Sequence, residues 1–517
     1  MGHARTLSIT LMGLEGTVVE VEADVSPGLP AFSVVGLPDS STLQARDRVR
    51  AAAARSGIRL AQRRITVNMT PAWLPKHGSG FDLAIAIAVV DAQGDLPSRG
   101  PSRTVHLGEL GLDGRLRPVP GVLPALLAAR DHGVTRAVVP EENLAEARLV
   151  EGLEVDGAPD LATVLRRWGS QVPIPIARPA LRVVGPHRLQ PDLAADDRGP
   201  APDFRDVVGQ AQARRAAEVA AAGGHHLLLI GPPGAGKTMI ASRIPGILPP
   251  LGTDDALAVS AIHSVAGRFD ALQGLRTQPP FENPHHTATP AAVVGGGPGI
   301  AMPGAISRAH AGVLLLDEAP EFPARVLEAL REPLEAGDIT IHRARGVTRY
   351  PARFQLVLAA NPCPCGKAFG RGDGCSCTPL QLRRYLARLS GPVLDRIDMR
   401  ITVGPVDIHR SGGIDAEPSA VIAQRVASAR ARQRQRFADH PWSTNARLPG
   451  PELRRSFAPE PDQRRLLDHA VAQGRLTLRG HDRVLRLAWT LADLDEVDRP
   501  GADQIGSALA LREGEHR

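Results

Sequence analysis

His226-Leu-Leu-Leu-Ile-Gly231-Pro-Pro-Gly234-Ala-Gly236-Lys237-Thr238 is a short apolar run that passes into a glycine-rich turn ending in Lys-Thr. It reads as a buried strand, a tight turn and the start of a helix, which is both the sequence and the context of a P-loop. Glycines let the backbone curl so that successive N–H groups face phosphate oxygens, and the helix start adds partial positive charge. In that pattern Gly231, Pro232, Pro233, Gly234, Ala235 and Gly236 form the cradle. The Lys237 ammonium reaches the β and γ phosphates, and the Thr238 hydroxyl ligates magnesium. ATP and Mg2+ are therefore the expected cofactors.

Two further apolar runs end in polar residues that suit the same chemistry. Gly312-Val-Leu-Leu-Leu-Asp317-Glu318 sets Asp317 beside the P-loop to hold the cation, with Glu318 polarising the attacking water. Phe354-Gln-Leu-Val-Leu-Ala-Ala-Asn361-Pro ends in an amide able to orient that water, although Asn-Pro is also a common turn.

The chain has 517 residues, which at about 150 per domain suggests three domains and excludes a single small binding module. Residues 1–170 alternate β-rich runs (Gly16 to Val25, Ile65 to Thr70, Thr104 to Leu110, Ala137 to Val139) with alanine-rich helical stretches, an α/β pattern. Residues 171–203 are proline-rich with little periodicity, as a linker would be. A second α/β pattern fills 204–404, and 405–517 reads as helical. No apolar run approaches the roughly 18 residues a membrane span needs, and the chain opens without a signal-peptide h-region. A cytoplasmic protein with no membrane partner is expected. The net charge of +6 permits an anionic partner such as nucleic acid, although almost all the basic residues are arginines and codon bias accounts for part of the excess.

These motifs resemble the YifB family of magnesium-chelatase-like AAA+ ATPases, whose best-known member is the competence protein ComM. Pro284-His-His-Thr-Ala-Thr, Gly295-Gly-Gly, Leu389-Ser-Gly-Pro-Val-Leu-Asp-Arg396-Ile-Asp and Arg479-Gly-His-Asp-Arg-Val-Leu-Arg-Leu-Ala extend the resemblance over nearly the whole chain. It implies a central AAA+ P-loop NTPase core in 204–404 and a C-terminal helical lid of the magnesium-chelatase type in 405–517. It makes Asn361 sensor 1, Arg396 an arginine finger acting on the neighbouring subunit's nucleotide, and Arg479 the sensor 2 arginine, with Arg483 and Arg486 as alternatives. A trans arginine stabilises charge on the transferring phosphoryl group, so hydrolysis needs a homo-oligomer, by family a hexamer. On the residues alone Arg396 has a plainer reading, an ion pair with Asp395 or Asp398.

All four cysteines fall in the loop 363–377, as Cys363-Pro-Cys365 and Cys375-Ser-Cys377. A loop folded back on itself can present four thiolates tetrahedrally, so structural Zn2+ is expected, with reduced structural thiols as the alternative. Residues 1–170 also resemble the proteolytic domain of Lon proteases, through Pro75-Lys76-His77-Gly78-Ser79-Gly80-Phe81-Asp82 and the segment from Gly108 to Leu123. That alignment puts Gly80 where the serine nucleophile belongs and Leu123 where its lysine partner belongs. The expected region is a Lon-protease-like α/β domain lacking the catalytic dyad, a structural or DNA-directing collar.

Two basic features are candidates for DNA. Asp338 to Tyr350 reads as a β-hairpin with Arg343 and Arg345 near its tip, a feature that in related helicase-like AAA+ proteins projects into a central pore. Arg425, Arg430, Arg432, Arg434 and Arg436 share one helical stretch without acids, and read equally as a solvated face. The resemblance then implies an ATP-driven ring that translocates on single-stranded or branched DNA and migrates branches during recombination of incoming DNA in natural transformation. The alternatives are a magnesium-chelatase-like motor and a chaperone ATPase that remodels a protein partner.

Overall fold

The computed structural model describes residues 2–97, 100–173, 202–297, 299–343, 346–370, 374–389, 391–405 and 417–513. Most of the proline-rich linker lies outside these residues, and so does Arg345. The α/β expectation holds: two sizeable sheets form, each covered by helices.

The first sheet is built from β1 (Gly2–Met12), β2 (Glu15–Ser26), β3 (Ala31–Val35), β4 (Arg64–Thr70), β5 (Thr104–His106), β6 (Arg136–Pro140) and β7 (Glu154–Ala158). Their order is β3-β4-β2-β1-β5-β6-β7. β1, β2 and β4 pair antiparallel, whereas β5, β6 and β7 run parallel to their neighbours. Along β2 the residues Val19, Val21, Ala23 and Val25 are buried, the period of two that puts one face of a strand in the core. The helix Asp82–Ala92 packs there, and its uniformly apolar run from Leu83 to Val90 is wholly buried.

The second sheet takes β8 (Leu227–Ile230), β9 (Phe281–Glu282), β10 (Val313–Leu316), then, after the hairpin β11 (Asp338–Arg343) and β12 (Gly346–Pro351), β13 (Gln355–Ala360) and β14 (Met399–Thr402). Its order is β9-β10-β13-β8-β14, and every pairing is parallel. All of β10 and β13 is buried, as strands covered on both faces must be. β8 comes first in sequence yet stands between β13 and β14. The strand order therefore reverses beside it, which opens a crevice at its carboxyl end.

Helices Ala211–Gly223, Ser419–Arg436, Leu478–Leu494 and Ala502–Glu513 share one core with β8 and β14. Ser419–Arg436 buries Ile422, Val426, Ala429 and Gln433, the three-to-four spacing of one helix face. This packing ties four of its five arginines into the fold, against the reading of a basic DNA-facing patch, and leaves Arg434 exposed. Arg425 pairs with Glu218 and Glu417, Arg432 with Asp498, and Arg436 with Asp493, while Arg430 donates to the Ala221 carbonyl at 2.7 Å. Glu218 and Asp493 come from other helices and Glu417 and Asp498 from loops, so the stretch itself could not reveal them.

Among the described residues the two sheets' surroundings meet at Glu146 and at the β1–β2 tip, among other contacts. Glu146 accepts from the Leu123 backbone N–H at 2.8 Å and from the Ser264 hydroxyl, while Gly121 donates to the Ser264 carbonyl. Burial pushes the Glu146 carboxyl up. The tip of the β1–β2 hairpin lies under β11–β12: a Cβ at Gly346 would sit 2.5 Å from Met12 Cε, and one at Gly13 would sit 2.9 Å from the Arg349 carbonyl. Among the described residues no helix is long and apolar enough to cross a membrane.

Candidate nucleotide site

The turn after β8 occupies the crevice that the strand order opens. Gly231 has no room for a side chain, because a Cβ there would strike the Val403 carbonyl. Gly236 stands at φ +88, where L residues are strained, immediately before the helix Lys237–Arg243. The buried Lys237 ammonium donates to the Gly231 and Pro232 carbonyls at 2.8 and 2.9 Å and to Asn361 Oδ1 at 3.2 Å. Burial pushes its pKa down, against the pull of Asp317 and Glu318.

β10 and β13 deliver the other polar groups, because both end at the same edge of the sheet as β8. The Thr238 hydroxyl donates to Asp317 Oδ2 at 2.6 Å, and the Glu318 N–H donates to Asp317 Oδ1 at 2.9 Å. Glu318 itself is left-handed, φ +52 and ψ +42, and its carboxylate meets His286 Nδ1 at 2.9 Å. Lys237, Thr238, Asp317, Glu318 and Asn361 thus converge at one end of one parallel sheet. A hydroxyl beside a carboxylate is a fitting oxygen pair for a hard cation such as magnesium, and an ammonium held in a glycine turn fits a nucleotide's phosphates.

The expected arginines lie elsewhere. β14 pairs Met399 with Leu227 and Thr402 with Ile230, so Arg396, upstream of Met399, sits at the amino end of the sheet. The four residues of β14 span about 13 Å at about 3.3 Å per residue, and Arg396 lies three residues before them. Arg396 is paired with Glu335, not with Asp395 or Asp398, and burial lowers its pKa. Arg479 lies 3.7 Å from Asp395, at this same amino end, and is largely exposed. It therefore stands away from its own P-loop, on one face with Arg396. Arg483 is held by Asp398 at 2.5 Å, and Arg486 donates to the Leu448 carbonyl at 2.8 Å. Both alternatives for sensor 2 are thus engaged within the fold. Asp398 stays well below the usual carboxylate range: burial opposes this, but His225, 3.5 Å away, and Arg483 outweigh it.

The four cysteines form a compact cluster whose Sγ atoms all lie within 4.8 Å of one another. Cys363 stands 3.3 Å from Cys365 and 3.8 Å from Cys375, and Cys365 is 3.6 Å from Cys375. Tetrahedral zinc with bonds of about 2.3 Å would hold its sulfurs about 3.8 Å apart, so the donor set fits. The Cys365 thiol is drawn down to about 6, first by the Lys367 backbone N–H and then by Cys363. The loop rests on the nucleotide turn: a Cβ at Gly366, φ +77, would sit 2.7 Å from Pro233. Sequence reasoning missed that contact, together with the His286–Glu318 pair.

In the first sheet's region Leu123, which the Lon resemblance aligns with the dyad lysine, is fully buried. Ser79 donates to Glu109, and the Lys76 amine donates to the Pro71 carbonyl. On the hairpin, Arg343 is exposed and its guanidinium lies over Gly296.

Comparison with known proteins agrees with this geometry. The family description "Magnesium chelatase, subunit ChlI" matches residues 203–410, "Subunit ChlI of Mg-chelatase" matches 21–143, and "Magnesium chelatase, subunit ChlI C-terminal" matches 416–512. An uncharacterized protein of Mycobacterium tuberculosis is 48% identical over 99% of both chains. YifB of Escherichia coli is 41% identical over 97% of this chain and 95% of its own. Competence protein ComM of Haemophilus influenzae is 38% identical over 99% and 98%. A Lon protease of Mycolicibacterium smegmatis is 29% identical over 175 residues, 32% of this chain and 22% of its own. From its site and from its full-length relatives, the chain belongs to the YifB/ComM family of magnesium-chelatase-like AAA+ proteins.

Proposed function

We propose that the chain is a ring-forming ATPase that converts ATP hydrolysis into movement along DNA, migrating branches when incoming DNA recombines. The observation that carries this reading is the opposition of two sets of residues. Lys237, Thr238, Asp317, Glu318 and Asn361 lie at the carboxyl end of the parallel sheet, and Arg396 and Arg479 lie at its amino end. One copy cannot bring both sets to one nucleotide. Two copies packed head to tail can, and a head-to-tail contact makes a ring when its rotation closes.

In such a site Lys237 neutralises phosphate charge, Thr238 and Asp317 hold the cation, Glu318 takes the water's proton, and Asn361 fixes the water's direction. Magnesium, when bound with ATP, spreads the charge that develops on the phosphoryl oxygens. Arg396 of the next copy supplies the remaining positive charge, with Arg479 beside it. Zinc in the four-cysteine loop is structural in this reading. The Lon-like region serves as a collar without peptidase activity, supported by Ser79 donating to Glu109 while the Lys76 amine donates to the Pro71 carbonyl. DNA is favoured as the track by the exposed hairpin arginine Arg343 and by the name of the ComM relative.

The deciding experiment measures ATP turnover with no DNA, single strands, duplex and a four-way junction. Selective stimulation by the junction is the expected result. Turnover indifferent to every DNA would return the chain to a chelatase-like or chaperone role.

A further inference from the structure

Glu318 has its two ends tied down. Its backbone N–H donates to Asp317 Oδ1 at 2.9 Å, and its carboxylate Oε2 lies 2.9 Å from His286 Nδ1. Between these anchors the residue is held at φ +52, a conformation that non-glycine residues keep only where surroundings impose it. The second anchor comes from a different strand. β9 runs parallel to β10 with Glu282 opposite Leu314, so four residues further on each chain the register brings His286 level with Glu318.

The turn that carries His286 is itself braced. The His285 ring packs on the His286 ring with centroids 4.2 Å apart. His285 Nδ1 lies 2.7 Å from the Thr287 hydroxyl and accepts from the Thr287 N–H at 3.3 Å, and the Ala288 N–H closes the turn on the His285 carbonyl at 2.8 Å. A carboxylate can only accept, so His286 Nδ1 carries the proton of the pair. The His286 ring is partly buried, while the Glu318 side chain is half exposed. The histidine is thus the fixed member and the glutamate the one it aims.

We infer that His286 is a positioning residue for the water-activating carboxylate: it orients Glu318 through Nδ1 and acts on the reaction only through it. The inference rests on the reading of the site as an ATPase.

The test is a kinetic cycle on the full-length protein with MgATP, scored by kcat and by the Kd of a fluorescent ATP analogue. His286→Ala should lower kcat about tenfold, a part of the 10²–10⁴ that a placed general base contributes, with Kd unchanged. His286→Asn, whose amide N–H can stand where Nδ1 stood, should recover most of that loss, and His286→Gln should not. In a Glu318→Gln background His286→Ala should change kcat by less than about twofold, because the group it aims is already gone. Unchanged or raised kcat in His286→Ala overturns the proposal, as does an equal tenfold loss in the Glu318→Gln background. Wild-type protein that hydrolyses no ATP under any condition instead overturns the ATPase reading beneath it.

Discussion

Arg396 is paired with Glu335 inside its own chain, although the sheet carries it to the end remote from its own P-loop. To meet a neighbour's nucleotide it must exchange Glu335 for phosphate. Arg396→Ala should therefore cut kcat by about 10³ or more while nucleotide still binds, the range lost with an arginine finger. Mixing Arg396→Ala with Lys237→Ala protein should restore part of the activity, since some interfaces then hold one intact half from each. Absence of rescue at every ratio would place the whole site in one chain.

Lys237 and Glu318 should separate binding from hydrolysis. Lys237→Ala removes the only ammonium in the turn and should abolish binding of the fluorescent ATP analogue. Glu318→Gln keeps the shape but cannot take a proton, so it should bind normally and turn over at least about 100-fold more slowly. Equal loss of binding in both variants would refute this division of labour.

The cysteine loop should carry one zinc per chain in metal analysis of protein purified without chelators. Cys365→Ser with Cys375→Ser should release it. Because Gly366 lies against Pro233, the same variant should also weaken nucleotide binding several-fold, read by titration. Metal-free protein with full nucleotide affinity would contradict both statements.

The arginines divide into those free to meet a phosphate backbone and those spent on the fold. Arg343→Ala should weaken binding to unrelated DNA sequences alike and lower the salt slope by about one per contact. Arg430→Ala should leave DNA affinity unchanged but lower the melting temperature, since its guanidinium donates twice to the buried Ala221 carbonyl. Such hydrogen bonds from a charged group are worth about 1.5–3 kcal/mol. Reversed outcomes for the two variants would restore the helix as the DNA-binding face.

Stability should fall as the pH is lowered from about 6.5. Burial pushes His106, His263 and His310 down to about 3 and His226 to about 4. In His106 the indole N–H of Trp168 donates to Nε2 at 3.2 Å, which fixes a neutral ring. The unfolded chain takes up protons near 6.5 while the folded chain refuses them until 3–4, so each ring costs about 1.4 kcal/mol per pH unit in that window. Depressed Asp398 adds to the loss lower down, whereas Asp82 and Glu146, raised by burial, work the other way. Melting temperatures that hold steady from pH 7 to 5 would show that these rings are not sequestered as described.

The nucleotide turn, Asp317, Glu318 and Asn361 were legible in the sequence because each follows an apolar run, and parallel strands bring such ends to one edge. The other features depend on pairings that no local pattern carries. Nothing local to Arg479 tells which end of the sheet it occupies; its neighbour Asp395, far off in the sequence, does. The arginines of Ser419–Arg436 look unpaired because Glu218 and Asp493 arrive from other helices. The helix Asp82–Ala92 has no period to read, since every face of it is covered. The strand β1 was missed as well; its neighbour β2 was seen because its alternation is regular.

The contact between the β1–β2 tip and the hairpin β11–β12 has a mechanical meaning. Met12 lies beneath Gly346, so the hairpin is no free finger. If a strand moves past Arg343 as proposed, the force is received at a fulcrum made by the first sheet, whose seven strands would resist it together. Under that reading the first sheet serves by its stiffness, and stiffness is what a lever needs from its support.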